Sequence, residues 1–141
     1  MEVKFTVPGA PKGKQRPRVC RINGKSVTYT PKQTTEYEKL IKARYNAVSN
    51  FKFESCVPLE IEILAIFEPP KSVSQKVRTL MLNGEILPTK RPDGDNVIKI
   101  ILDALNGCIY HDDAQICRIY FTKKYAEKSE TKVLIKTIER T

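Results

Sequence analysis

Apolar and polar side chains alternate from the start of the chain. Val3, Phe5 and Val7 interleave with Glu2, Lys4 and Thr6, predicting a half-buried strand over residues 2–7 that Pro8 ends. A second alternation runs over residues 59–67, where Leu59, Ile61, Ile63, Ala65 and Phe67 interleave with Glu60, Glu62, Leu64 and Ile66. Its second half has no polar face, so it predicts a strand buried on both sides in the middle of a sheet. Further strands are expected at 115–125 and 132–138, with a short one at 108–110. Asn23-Gly24, between two short extended runs, has the residues of a two-residue hairpin turn.

Helical spacing marks three other stretches. Thr30-Pro31-Lys32-Gln33 combines a capping residue, a proline at the first helical position and a Gln three after the cap. It predicts a helix with Tyr37, Leu40, Ile41, Tyr45 and Val48 on its inner face. After Pro69-Pro70, Ser72 to Gln75 repeats the capping pattern ahead of Val77, Leu80 and Met81, with Gly84 as the stop. Residues 95–105 form the strongest helix: Val97, Ile98, Ile101, Leu102 and Leu105 make an apolar arc, and Asn106-Gly107 ends it. Strands and helices in this order, over a length typical of one domain, predict a single α+β domain spanning residues 1–141. Its architecture would be a mixed β-sheet with helices packed chiefly on one face.

Charge narrows the function. Lys and Arg number 25 against 16 Asp and Glu, a net charge of +9, which favours an anionic partner such as nucleic acid. Residues 8–30 read as a basic arm and hairpin, with six Lys or Arg and no acid between Lys12 and Lys25. Lys12, Lys14, Arg16, Arg18 and Arg21 are the candidates for phosphate contact; the plainer reading is a solvated basic loop. No stretch approaches the roughly 18 apolar residues of a spanning helix and no signal-peptide run is present, so a cytoplasmic protein without a membrane partner is expected. Cys20, Cys56, Cys108 and Cys117 lack C-x-x-C spacing and His111 is the only histidine, which argues against structural zinc. Four buried or half-buried free thiols are expected instead.

The acids are unevenly placed. Asp93-Gly94-Asp95 follows Lys90-Arg91-Pro92, where proline holds the preceding residue extended, so Asp93 and Asp95 are expected to point the same way. The helix after them advances about 15 Å and a return strand from Cys108 to Asp112 covers about 16 Å. If Asn106-Gly107 reverses the chain, Asp112 or Asp113 comes back beside Asp93 and Asp95. Carboxylates gathered without His or Cys suit a hard cation such as Mg²⁺, with Mn²⁺ as a substitute. Such an ion activates water and polarises a phosphodiester, and Lys99, one turn after Asp95, is placed to neutralise charge at phosphorus. The same residues admit a plainer reading: Asp95 an N-cap, Asp112-Asp113 a polar turn, Asp95-Lys99-Asp103 an exposed row of ion pairs. An EF-hand is excluded, because Val97 and Ala104 occupy loop positions that need oxygen ligands.

Arg91-Pro92-Asp93-Gly94-Asp95-Asn96, Lys99, Asp103-Ala104-Leu105-Asn106-Gly107 and His111-Asp112-Asp113-Ala114-Gln115-Ile116 together resemble the RusA-type Holliday junction resolvases. The motif stretch covers residues 90–116. The resemblance implies a magnesium-dependent homodimer that cuts four-way DNA junctions by paired incisions in recombination and repair, often encoded by phages and prophages. By motif position it makes Asp93, Asp95 and Asp113 the metal ligands and catalytic residues with Lys99, Asp112 a neighbour, and Asp103 structural. Pro92 stands where some members carry a basic residue, so phosphate contact there passes to Lys90 and Arg91. The reading from another class is a non-catalytic nucleic-acid-binding protein that retains the fold. Tyr29, Phe51, Phe53 and Tyr110 could each stack at a junction or sit in the core.

Overall fold

The alternating stretches pair into one sheet, and two of the three helices cover one of its faces. The computed structural model describes residues 1–139. In chain order the elements are β1 (Glu2–Pro8), β2 (Arg18–Ile22), β3 (Lys25–Tyr29), α1 (Lys32–Val48), β4 (Leu59–Phe67), α2 (Gln75–Leu82), α3 (Gly94–Leu105), a 3₁₀ turn (Asp113–Gln115), β5 (Ile116–Tyr125) and β6 (Glu130–Thr137). The sheet order is β1-β6-β4-β5, with β4 and β5 parallel and the other pairs antiparallel. This is the expected α+β domain with a mixed sheet.

Register explains the core. Phe5 lies opposite Val133, Val133 opposite Ile63 and Ile63 opposite Phe121, so one row of apolar side chains crosses all four strands. Tyr37, Ile41 and Tyr45 of α1 and Val97, Ile100, Ile101, Ala104 and Leu105 of α3 pack with the inner residues of β1, β4 and β6. On the other face, Glu60 of the central strand is 7% exposed and is flanked by Lys136 at 3.3 Å and Arg118 at 3.7 Å. A carboxylate this deep is tolerable only with such partners. Ile66 is buried and Leu64 half-buried, as the apolar second half of β4 predicts. β2 and β3 form a separate two-stranded ribbon whose turn residues, Asn23 and Gly24, both have positive φ (52° and 77°), the geometry that matches strand twist in a two-residue hairpin.

Tertiary packing overrides several local expectations. α1 starts at Lys32 rather than Pro31: Pro31 is extended (ψ 141°), no side chain caps the helix, and the Thr34 and Thr35 N–H groups both donate to the Pro31 carbonyl. Val48, expected on its inner face, is 56% exposed, and Thr34 is buried instead. The cap of α2 is Ser74, whose hydroxyl accepts from the Val77 N–H, not Ser72. The inner face of α3 is rotated toward Ile100 and Ala104, leaving Ile98 and Leu102 half-buried. The strand expected at 108–110 is a tight turn: the Cys108 and Ile109 N–H groups both donate to the Leu105 carbonyl, and Ile109 and Tyr110 drop into the core. All four cysteines are free, but Cys56 and Cys117 are exposed rather than buried. No helix among the described residues is long and apolar enough to cross a membrane.

The rotated faces have a measurable consequence. Ile101→Ala should cost about 2–5 kcal/mol in urea unfolding, because it opens a cavity in a closed core. Val48→Ala should stay within about 0.5 kcal/mol of wild type, as surface changes do. Equal costs would mean that α1 buries Val48 after all.

Candidate active site

Asp93 stands just before α3 in an extended conformation (φ −68°, ψ 143°), and its carbonyl accepts the first helical bond, from the Val97 N–H at 3.1 Å. Its side chain makes no capping bond. Asp95 lies in the first turn, and both carboxylates are exposed. Two acids at a helix N-terminus sit at the positive end of the helix dipole. Lys99 is exposed one turn further on.

Two sets of contacts hold this segment. From the arm, the Lys14 backbone N–H donates to the Asn96 carbonyl at 2.8 Å. Beside it Gly13 lies so close that an added Cβ would sit 3.0 Å from Asn96 Cβ and 3.2 Å from Pro92 Cβ. From β5, the Phe121 ring lies under Gly94, where a Cβ would come within 3.0 Å of Cε2, and the Lys123 ammonium donates to the carbonyls of Lys90 (2.7 Å) and Pro92 (3.0 Å). Between arm and motif opens a cleft of about 360 Å³ whose lining includes Lys12, Lys14, Gln15, Gln33, Arg91 and Asp93. Sequence reasoning missed Gly13, Phe121 and Lys123. One signal was available: in the alternation of Ile119, Phe121, Lys123 and Tyr125 a cation occupies an apolar phase.

The basic candidates separate into two kinds. Lys12, Arg16, Arg18, Arg21, Lys90 and Arg91 are exposed. Lys14 is half-buried, with its ammonium on Glu38 and, at 3.3 Å, on Asp103, which ties the arm to α1 and α3. Burial pulls its pKa down, and the bonds and charges of Glu38 and Asp103 outweigh that and leave it raised. Phe53 and Tyr110 are core residues, and Phe51 packs edge-on against Phe53. Tyr29, 45% exposed opposite Arg18, is the aromatic left on the basic hairpin.

The second acidic set lies past the end of α3. Asp112 caps the 3₁₀ turn by accepting from the Ala114 N–H. The Gln115 side chain anchors the turn, accepting from the His111 and Asp112 N–H groups and donating to the Glu54 and Val57 carbonyls. Burial, together with Asp112 and Asp103, pushes the Asp113 carboxyl above the ordinary range, whereas the Ala114 N–H holds Asp112 below it. The Tyr110 hydroxyl donates to the Leu102 carbonyl, and burial first, then these carboxylates, raises its pKa.

All the acids are oxygen donors suited to a hard cation. Among the described residues, however, no three His, Cys, Asp or Glu side chains come close enough to hold one ion. The chain brings Asp93 to one helix end with Asp95, and Asp113 to Asp112 with Asp103 within electrostatic reach, but does not gather Asp93, Asp95 and Asp113 at one point. The return strand that was to carry Asp113 back is absent, because the chain turns inward at Ile109 and Tyr110 instead.

The raised Asp113 carboxyl sets a pH dependence. Folding favours its protonated form, so its contribution to stability is full below the unfolded-state pKa and is lost as pH rises through the folded value. In metal-free protein, Asp113 should titrate above Asp112 by carbon-detected NMR, and Asp113→Asn should gain stability at pH 7 but not near pH 3. Equal stability of variant and wild type at both pH values would contradict the shift.

The chain matches the family described as endodeoxyribonuclease RusA over residues 8–136. It is similar to the uncharacterized protein YqaN of Bacillus subtilis (strain 168), with 31% identity over 140 residues and 96% of each chain covered. The matched stretch runs from the basic arm through the acidic motif and its turn into β6, and the chain therefore belongs to the RusA endodeoxyribonuclease family.

Proposed function

We propose that the protein is a cytoplasmic, structure-selective endodeoxyribonuclease that resolves four-way DNA junctions in recombination and repair, acting as a homodimer with Mg²⁺ or Mn²⁺. The observation that carries this reading is the cleft in which the basic arm meets the acidic motif, with Lys12 and Arg91 lining the same space as Asp93. Lysine and arginine at a cleft attract a phosphodiester. A carboxylate there repels it, so a protein that only bound DNA would gain nothing from Asp93. The acid makes sense where a cation joins the phosphate.

Asp93, Asp95 and Asp113 are the proposed ligands. A bound hard cation would supply water activation and charge stabilisation at phosphorus. Among the described residues one chain does not gather the three, and its own side chains bind and orient the DNA. Lys12 and Arg91, with Arg16, Arg18, Arg21 and Lys90, hold phosphates. Lys99, exposed on the same helix as Asp95, offers positive charge to the transition state. Lys14 keeps the arm in place through Glu38 and Asp103. One chain carries one set of motif acids and resolution needs two opposed nicks; a closed two-fold dimer supplies the second and matches the symmetry of the junction.

Cleavage of four-way junction, duplex and single strand, with and without Mg²⁺, tests the function. The junction should be cut by paired incisions only with the metal. Asp93→Asn or Asp113→Asn should abolish cutting while junction binding survives. Lys99→Ala should lower single-turnover cleavage by about two orders of magnitude or more with little change in Tm. Near wild-type cutting by Asp93→Asn in Mg²⁺ would refute the ligand assignment.

Salt separates the two kinds of basic residue. Replacing Arg16, Arg18 or Arg21 by Ala should flatten the plot of log binding constant against log salt by up to about 0.9 per lost phosphate contact on duplex arms. Lys14→Ala should leave that slope near wild type and lower Tm. A slope change for Lys14 as large as for the arginines would make it a DNA contact.

A further inference from the structure

We infer that Lys123 is a positioning residue for the acidic motif: from β5 its ammonium fixes the carbonyls of Lys90 and Pro92 and so the direction in which Asp93 leaves the loop. Ile119, Phe121, Lys123 and Tyr125 lie opposite Ile61, Ile63, Ala65 and Phe67 and share their face of the sheet. Lys123 is half-buried at that phase, and a charge drawn partly out of water needs compensation. It has it: hydrogen bonds of 2.7 Å to Lys90 O and 3.0 Å to Pro92 O, with the Phe67 ring centroid 5.5 Å away.

Among the described residues no backbone N–H bonds either carbonyl. Residues 83–93 form no strand or helix, so no ladder partner reaches the Lys90 and Pro92 carbonyls. The Pro92 oxygen belongs to the peptide plane that carries the Asp93 nitrogen, and holding that oxygen fixes the plane from which the Asp93 side chain departs. Two residues earlier on the same strand face, Phe121 meets Gly94. Lys123 and Phe121 therefore set the motif against β5 on both sides of Asp93. A neutral donor could bond one or both carbonyls, but only a cation also offsets the negative potential of two carbonyls aimed at one point and of the acids that follow them. The catalytic consequence rests on the nuclease reading above; the positional claim does not.

Three full-length variants separate these contributions: Lys123→Met removes donors and charge at similar length, Lys123→Gln keeps donors alone, and Lys123→Arg keeps both. The readouts are amide exchange at Val97, which bonds the Asp93 carbonyl, against Ile101 in mid-helix; the Mn²⁺ titration midpoint; metal-free junction binding; and cleavage. Lys123→Met should speed exchange at Val97 at least tenfold while Ile101 changes less than threefold. It should also raise the Mn²⁺ midpoint at least fivefold and slow cleavage in a way that excess Mn²⁺ partly restores, with metal-free junction binding within twofold of wild type. Arg should recover most of each effect and Gln less. If Lys123→Met does not fold, Gln with slowed cleavage and a raised midpoint beside near-normal Arg still supports the role. Unchanged Val97 exchange and Mn²⁺ midpoint in Met, or equal loss at Val97 and Ile101 in every folded variant, overturns it. A wild-type protein that neither binds Mn²⁺ nor cuts junctions refutes the nuclease reading, while the exchange pattern still decides the positional claim.

Discussion

The parallel pairing of β4 with β5 is the constraint on which the rest of the molecule depends. Antiparallel neighbours can be joined by a hairpin, but parallel ones need a long crossover. Here the crossover runs from Glu68 to Gln115 and contains α2, the motif loop, α3 and the acidic turn. The acids are thus carried on the connection rather than on the sheet, and their position depends on how the connection is tied down. The apolar face of α3 supplies the bulk of that tie, with five residues buried against the core. Phe121 and Lys123 supply the fine register from the strand that the crossover leads into.

A second dependence is electrostatic. The arm is basic and the motif acidic, yet their contact is made chiefly by backbone and glycine: Lys14 N–H on the Asn96 carbonyl and Gly13 between Asn96 and Pro92. The side-chain charge of Lys14 is spent inward on Glu38 and Asp103, which leaves Lys12 and Arg91 at the cleft. One cation locks the arm while its neighbours stay available for an anion. At the other end of α3, Asp113 sits beside Asp112 with its carboxyl pushed up by burial and by the charge of Asp112 and Asp103.

The legibility of the parts follows their range. Strands β1 and β4 and the hairpin turn at Asn23-Gly24 follow from two-residue alternation and turn chemistry, and they stand where that reasoning puts them. Helix caps were less legible, because Thr30, Ser72 and Ser74 are all plausible caps and the choice falls to the packing of the first turn. Val48 shows the same limit: it lies on the predicted stripe of α1, yet the packing leaves it 56% exposed. The turn at Cys108–Tyr110 had the residues of a strand, and the burial of Ile109 and Tyr110 under α3 made it a turn.

By itself the sequence determined the fold class, the basic arm, the family resemblance and the identity of every candidate acid, because alternation, capping chemistry and motif spacing are local and are written in neighbouring residues. Only the tertiary structure decided which residues hold those acids and which acids meet. Lys123 reaches Pro92 across 31 positions, and Lys14 reaches Glu38 across 24. The separation of Asp113 from Asp93 and Asp95 likewise depends on how a buried tyrosine turns the chain after α3. Contacts of that kind are set by strand register and core packing, which couple distant segments through shape and charge, and no periodicity in the chain records them.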